Sequence, residues 1–221
     1  MGVAKLSIGG NSFIGAFAIA TDSFALIGNS STEKHVSVIK ENLGVDSARI
    51  SIDGSDLIGI YAVANSKSLL LPDIVTDNEV EHIKRILPNV NVHVMNTSLN
   101  ALGNNILAND RIAIVNPEYE TAEVRQIEKA LGIEAIKLNA GGFHTVGASN
   151  ILTNSGIVLN NRANDDDMDA VKPFVKNYSQ STANLGSLSI RLSTISNSNG
   201  LLLGDDTTGF EMARITEGLG L

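Results

Sequence analysis

At a stride of about 44 residues this chain repeats itself five times. Gly15, Gly59, Gly103 and Gly147 fall in one column, and Arg191 takes the fifth place. A period of this length marks an architecture assembled from one supersecondary unit, so it constrains the fold before any single motif does.

The same stride aligns apolar columns. Leu26, Leu70, Ile114, Val158 and Leu202 form one. Each has apolar neighbours on both sides, as in Ala25 and Ile27 or Leu201 and Leu203. A short continuous apolar run of this kind predicts a strand buried on both faces. A second set has helical spacing: Val36, Val80, Val124, Met168 and Met212. Three residues on stand Ile39, Ile83, Ile127, Val171 and Ile215, and seven on stand Leu43, Leu87, Leu131, Val175 and Leu219. Fifteen apolar residues in fifteen places would arise by chance about three times in a million in one register, so the pattern is a repeated amphipathic helix.

The helix ends agree. Thr32, Thr76, Asn164 and Thr208 stand at the N-cap position, with Glu120 the exception. Thr76 with Glu79, and Thr208 with Glu211, read as capping boxes. Gly44 and Gly132 read as helix stops. Strand-like segments follow the column position at 16–20, 60–64, 104–108 and 148–153. The hairpin tips are expected at Asn65, Asn109, Asn154 and Asn197, since Asn tolerates turn geometry. A further strand is expected at 48–52, 91–95 and 135–138.

Each unit thus reads strand, hairpin, strand, helix, strand, and the class is α/β. One domain over 1–221 is expected, with units at approximately 5–48, 49–92, 93–136, 137–180 and 181–221. Open solenoids need polar capping repeats. Here the first and last units keep the apolar columns, which favours a closed ring. In a ring the column glycines fit a close backbone approach near the axis. Ordinary strand-entry turns are the equal alternative.

Composition narrows the function. The net charge is −8, which opposes binding driven by nucleic-acid phosphate and fits a basic protein partner. There is no cysteine, hence no disulfide, thiolate metal site or cysteine nucleophile. Tryptophan is absent and aromatics are 4% of the chain, poor material for stacking bases. No apolar run of membrane-spanning length occurs, so a cytoplasmic protein without membrane or free DNA as partner is expected. Asp165, Asp166 and Asp167 sit in the first turn of the fourth helix, where acids favour the helix dipole. That reading outweighs a metal cluster. His35, His82, His93 and His144 show no metal-pair spacing, and only His144 is close enough to a column glycine to face a binding surface. Phosphate-loop and nucleophile-elbow motifs are missing. Residues 205–209 (DDTTG) read as the loop entering the last helix. No catalytic residue, metal or cofactor is expected.

Four stretches carry a resemblance: GIYAVANSKSLLLP at 59–72, NALGNNILAN at 100–109, TVGASNILTNSG at 145–156 and LLLGDDTTG at 201–209. Through them the chain resembles the archaeal translation initiation factor 6 family over nearly its full length. The resemblance implies the pentein fold, a five-fold pseudosymmetric ring. It implies a non-enzymatic translation factor that binds the large ribosomal subunit, mainly ribosomal proteins near the sarcin–ricin loop, and blocks premature joining of the small subunit. Large-subunit maturation is a further role, and a monomer is expected. For ribosome contact the resemblance points to Asn104, with Gly103 and Leu102 beside it. A turn residue following glycine is the competing reading of Asn104. A scaffold for another partner, or a guanidino-modifying pentein enzyme, are the alternatives. The second lacks the cysteine that its chemistry needs.

Overall fold

The structure, a computed structural model, describes residues 2–221. Its strands are β1 (Val3–Leu6), β2 (Ala18–Ala20), β3 (Ala25–Gly28), β4 (Ser47–Ile50), β5 (Val63–Ala64), β6 (Ser68–Pro72), β7 (Asn91–Met95) and β8 (Ile106–Ala108). After them come β9 (Ile112–Val115), β10 (Glu134–Lys137), β11 (Ile151–Leu152), β12 (Gly156–Asn160), β13 (Asn177–Ser181), β14 (Thr194–Asn197) and β15 (Gly200–Gly204). They form five three-stranded sheets among the described residues. In each, a hairpin pairs an inner strand antiparallel to a central one, as β2 with β3. A helix then carries the chain to a third strand parallel to the central one, as β4 on β3.

Four longer helices make these crossovers, α1 (Glu33–Leu43), α3 (Asp77–Ile86), α5 (Thr121–Leu131) and α7 (Asp165–Val171), and a fifth, α8 (Gly209–Leu219), follows the last central strand. Three single-turn helices, α2 (Ile58–Tyr61), α4 (Leu102–Asn105) and α6 (Val146–Ser149), lie at the column glycines. The sequence pattern predicts strand there; the chain first makes a helical turn, so the inner strands start later than expected. The third strands β4 and β10 also sit one residue earlier than their expected starts.

The fifth sheet finds its third strand at the other end of the chain. Strand β1 lies parallel to β15, from Val3 beside Leu201 to Leu6 beside Gly204. The ring closes through this pairing, and the five-fold pentein architecture results.

The continuous apolar runs now have a physical cause. Side chains alternate across a strand, and each central strand has a core on both faces. On β3, Ile27 joins the core with α1 residues Ile39 and Leu43, while Leu26 joins the next one with Ile58 and Ile83 of the second unit. On β15, Leu202 reaches back to that α1 core, and Leu201 and Leu203 pack with Ile215 of α8. Each of the five cores is shared between consecutive units, so each unit covers the other's apolar face.

The helix caps form as the spacing predicts, with one revision. Capping boxes stand at all five N-termini, and Glu120 takes the cap position while Glu123 Oε2 accepts from its N–H at 2.7 Å. Gly44 and Gly132 end their helices in the left-handed conformation. The fourth helix is shorter than its spacing implies. Pro173 has no N–H to give, the chain tightens into a 3₁₀ turn at Lys172–Phe174, and Val175 lies beyond the helix. The acids at 165–167 fill the first turn of α7, and Asp167 Oδ2 accepts from the N–H groups of Asn164 and Gly141.

The hairpin tips need one correction. Asn65, Asn109 and Asn197 each accept two backbone N–H groups through Oδ1. In the fourth unit Thr153, not Asn154, takes this place, with Oγ1 accepting from Ser155 and Gly156. A hydroxyl can mimic the Asn turn, which frees Asn154 to reach across the ring.

Candidate partner-binding edge

Ahead of each column position the chain turns between the preceding third strand and the next unit. Four of these turns close with an isolated antiparallel bridge: Ile8 with Asn11, Ile52 with Ser55, Ala140 with Phe143 and Ala183 with Ser187. All four use left-handed residues, at Gly9 and Gly10, Asp53 and Gly54, Gly141 and Gly142, and 184–186. The third unit differs. Residues 96–99 carry no such bridge and no positive φ. The stride shows why: Gly10, Gly54, Gly142 and Gly186 share a column in which the third unit has Ser98. Without glycine the tight turn is disfavoured.

Side chains hold this loop instead. Thr97 Oγ1 donates to Glu123 Oε1 at 2.5 Å, Leu99 N–H donates to Thr97 Oγ1 at 3.2 Å, and the Tyr119 hydroxyl donates to Leu99 O at 3.2 Å. Burial pushes the Tyr119 phenol above its usual pKa, and the Glu123 charge adds to that. Asn96, Ser98 and Asn100 are left exposed.

The loop leads into α4, where the residues expected to meet a partner divide. Leu102 is fully buried and packs with Tyr119 and Ile127. Gly103 faces the carbonyl oxygens of Gly59 and Ala62, and a β-carbon there would meet both at 3.0 Å or less. Both are internal, and they shape the turn. Asn105, which sequence reasoning passed over, is also internal: it donates to Ala101 O and accepts from Asn116 Nδ2 at 2.8 Å.

Asn104 is different. It is half-buried, and its Oδ1 has no hydrogen-bond partner. The equivalent residues of the other units are Ala16, Ile60, Ala148 and Leu192. Four units therefore use an apolar residue where the third has an amide that the fold does not satisfy. A buried polar atom without a partner costs stability, and at this position only the third unit carries that cost.

The column glycines resolve in favour of close approach. A β-carbon at Gly15 would meet Arg191 O and Thr194 O, and at Gly147 it would meet Gly103 O and Ile106 O, all well under 3.0 Å. Gly15, Gly59, Gly103 and Gly147 are not at positive φ, so contact and not conformation demands glycine. His144 Nδ1 lies 2.8 Å from Glu118 Oε1 in an exposed pair. Residues 205–208 form the loop into α8, whose first residue is Gly209, with Thr207 Oγ1 donating to Asn184 Oδ1 at 2.9 Å. Among the described residues, no three His, Cys, Asp or Glu side chains gather as a metal site, and no helix is long and apolar enough to cross a membrane.

Five sheets on one axis, each sharing its cores with its neighbours, define a pentein ring, here with one turn unlike the other four. The chain belongs to the eIF-6 family, whose pattern matches residues 3–218. It is 38% identical over 216 residues to "Translation initiation factor 6" of Thermoplasma acidophilum, covering 97% of this chain and 98% of that one. It is 33% identical over 226 residues to "Translation initiation factor 6" of Pyrococcus abyssi, covering both chains in full. Among solved structures, the amidinotransferase SxtG from Microseira wollei, of the saxitoxin biosynthetic pathway, aligns with a TM-score of 0.44 at 12% identity. That alignment covers 66% of this chain and 46% of SxtG.

Proposed function

We propose that this chain is a translation factor that binds the large ribosomal subunit and sterically prevents its premature association with the small one. Family membership over residues 3–218 carries the reading. A rigid ring seated on the joining face excludes the partner subunit without chemistry. The docking edge is the third-unit turn, residues 96–101 with Asn104, because a specific partner must read what distinguishes one unit from the other four. Basic ribosomal proteins near the sarcin–ricin loop are the contacts, in keeping with the net charge of −8. The protein acts as a cytoplasmic monomer without a cofactor and takes part in large-subunit maturation. Guanidino chemistry is disfavoured by the lack of any cysteine nucleophile.

Sedimentation tests the proposal. The pure chain is expected to travel with large subunits from its own source and to lower the yield of joined ribosomes when small subunits are added. Failure to bind those subunits would overturn it, and capture of a non-ribosomal partner alone would favour the scaffold reading.

A further inference from the structure

Between the five inner strands lies a cavity of about 50 Å³ on the ring axis, room for about four waters. Ala20, Ala64, Ala108 and Ile106 are among its lining residues, and its one charged side chain is Arg191. Where four units place a glycine, the fifth sends a guanidinium inward. Its Nη1 donates to Gly59 O at 2.8 Å. A guanidinium has five N–H donors and cannot shed its charge at neutral pH. No Asp or Glu lines the cavity, and Arg191 makes no ion pair among the described residues. Burial lowers its pKa to about 10 with no opposing charge to raise it. Arg191 is half-buried with its guanidinium in the cavity, and an isolated cation so placed is costly unless something of opposite sign joins it.

Two acids, Asp22 and Asp110, line the axial mouth and accept hydrogen bonds from neutral donors. At the hairpin tips Asn154 Nδ2 donates to Asp22 Oδ2 at 2.8 Å and to Asp110 Oδ2 at 2.6 Å. Ser198 N–H donates to Asp22, and Ser66 donates to Asp110 through both N–H and Oγ. A layer of Ala20, Ala64, Ala108, Leu152 and Ser196 separates these tips from the chamber that holds Arg191. Their two carboxylates put negative charge at the axial mouth, which disfavours more than one negative charge inside the ring.

We infer that the axial cavity is an anion site in which the Arg191 guanidinium holds one small monovalent anion of about chloride size. The cavity volume limits the size, and the single guanidinium sets the charge. The site is independent of the ribosomal reading, since it lies inside the ring and not at its edge.

Bromide is the probe. Crystals of the full chain grown in sodium bromide, with data collected at the bromine edge, are expected to show an anomalous peak in the axial cavity within contact of Arg191. A guanidinium surrounded by water alone in those crystals would overturn the inference. In solution, replacing gluconate by chloride at constant ionic strength is expected to raise the Tm of the native chain and to leave Arg191→Met unmoved. An equal rise in both would also overturn it. Should Arg191→Met fail to fold, the bromide map decides alone.

Discussion

Gly59 packs against the carbonyl oxygen of Gly15 so closely that a β-carbon on Gly59 would lie well under 3.0 Å from it. The obstacle is backbone, which cannot rotate away as a side chain can. Gly59→Ala is therefore expected to destabilise the protein by about 3 kcal/mol in urea denaturation, at the upper end for overpacking. Gly209 is the control. It sits at the start of α8 with open space and no positive φ, so Gly209→Ala is expected to be neutral or stabilising by about 0.5 kcal/mol. Equal costs at the two sites would refute the close-approach account.

Asn65 ties one hairpin tip to the next unit. Its Nδ2 donates to Leu131 O at 2.8 Å, while Oδ1 accepts from Lys67 and Ser68. The residue is buried, so truncation leaves three backbone groups without partners. Asn65→Ala is expected to cost about 3 kcal/mol by chemical denaturation. Asn154→Ala, whose bonds lie at the more exposed axial mouth, is expected to cost about 1 kcal/mol.

Glu79 gives the ring a dependence on acid. Burial alone would raise its carboxyl, but N–H groups of Gly54, Thr76 and Asp53 and the Ser51 hydroxyl hold the pKa at about 2, against 4.5 when unperturbed. Glu211 is lowered in the same way, by Thr208, Thr182 and Gly186 against the opposing effect of burial. A depressed carboxyl stabilises the fold above its unfolded value, and that gain is lost as pH falls from about 4.5 towards 2. Denaturation midpoints are expected to drop over this window. Glu79→Gln is expected to lower stability at pH 7 and to flatten the drop, and an unchanged slope would count against the assignment.

Asn104 predicts opposite signs for folding and binding. Its Oδ1 is unsatisfied in the free protein, so Asn104→Ala is expected to leave stability unchanged or raise it by up to about 1 kcal/mol. Affinity for the large subunit is expected to fall about tenfold, which corresponds to about 1.4 kcal/mol. Loss of stability with unchanged binding would make the residue structural.

Much of the ring was legible in one dimension. Constant stride and apolar columns reported a repeated unit because the same packing problem is solved five times. N-caps were legible because they are local: Thr76 and Glu79 meet across three residues, as do Thr208 and Glu211. The proposed docking edge was half legible. Asn104 stands out in its column, and Ser98 likewise interrupts a glycine column. The family resemblance pointed to Asn104 and not to Ser98. The resemblance grouped Leu102 and Gly103 with Asn104, and the helical turn at 102–105 sends these two inward.

What the sequence determined by itself was the unit: its helix face, its caps, its buried central strand and the count of five. Those follow from spacing and local hydrogen bonding, which act over a few residues. The tertiary structure decided what depends on distant segments meeting. It paired Val3 with Leu201, set Gly59 on Gly15 and sent Arg191 across the axis to Gly59. No local rule couples residues so far apart; only closure of the ring brings them into contact.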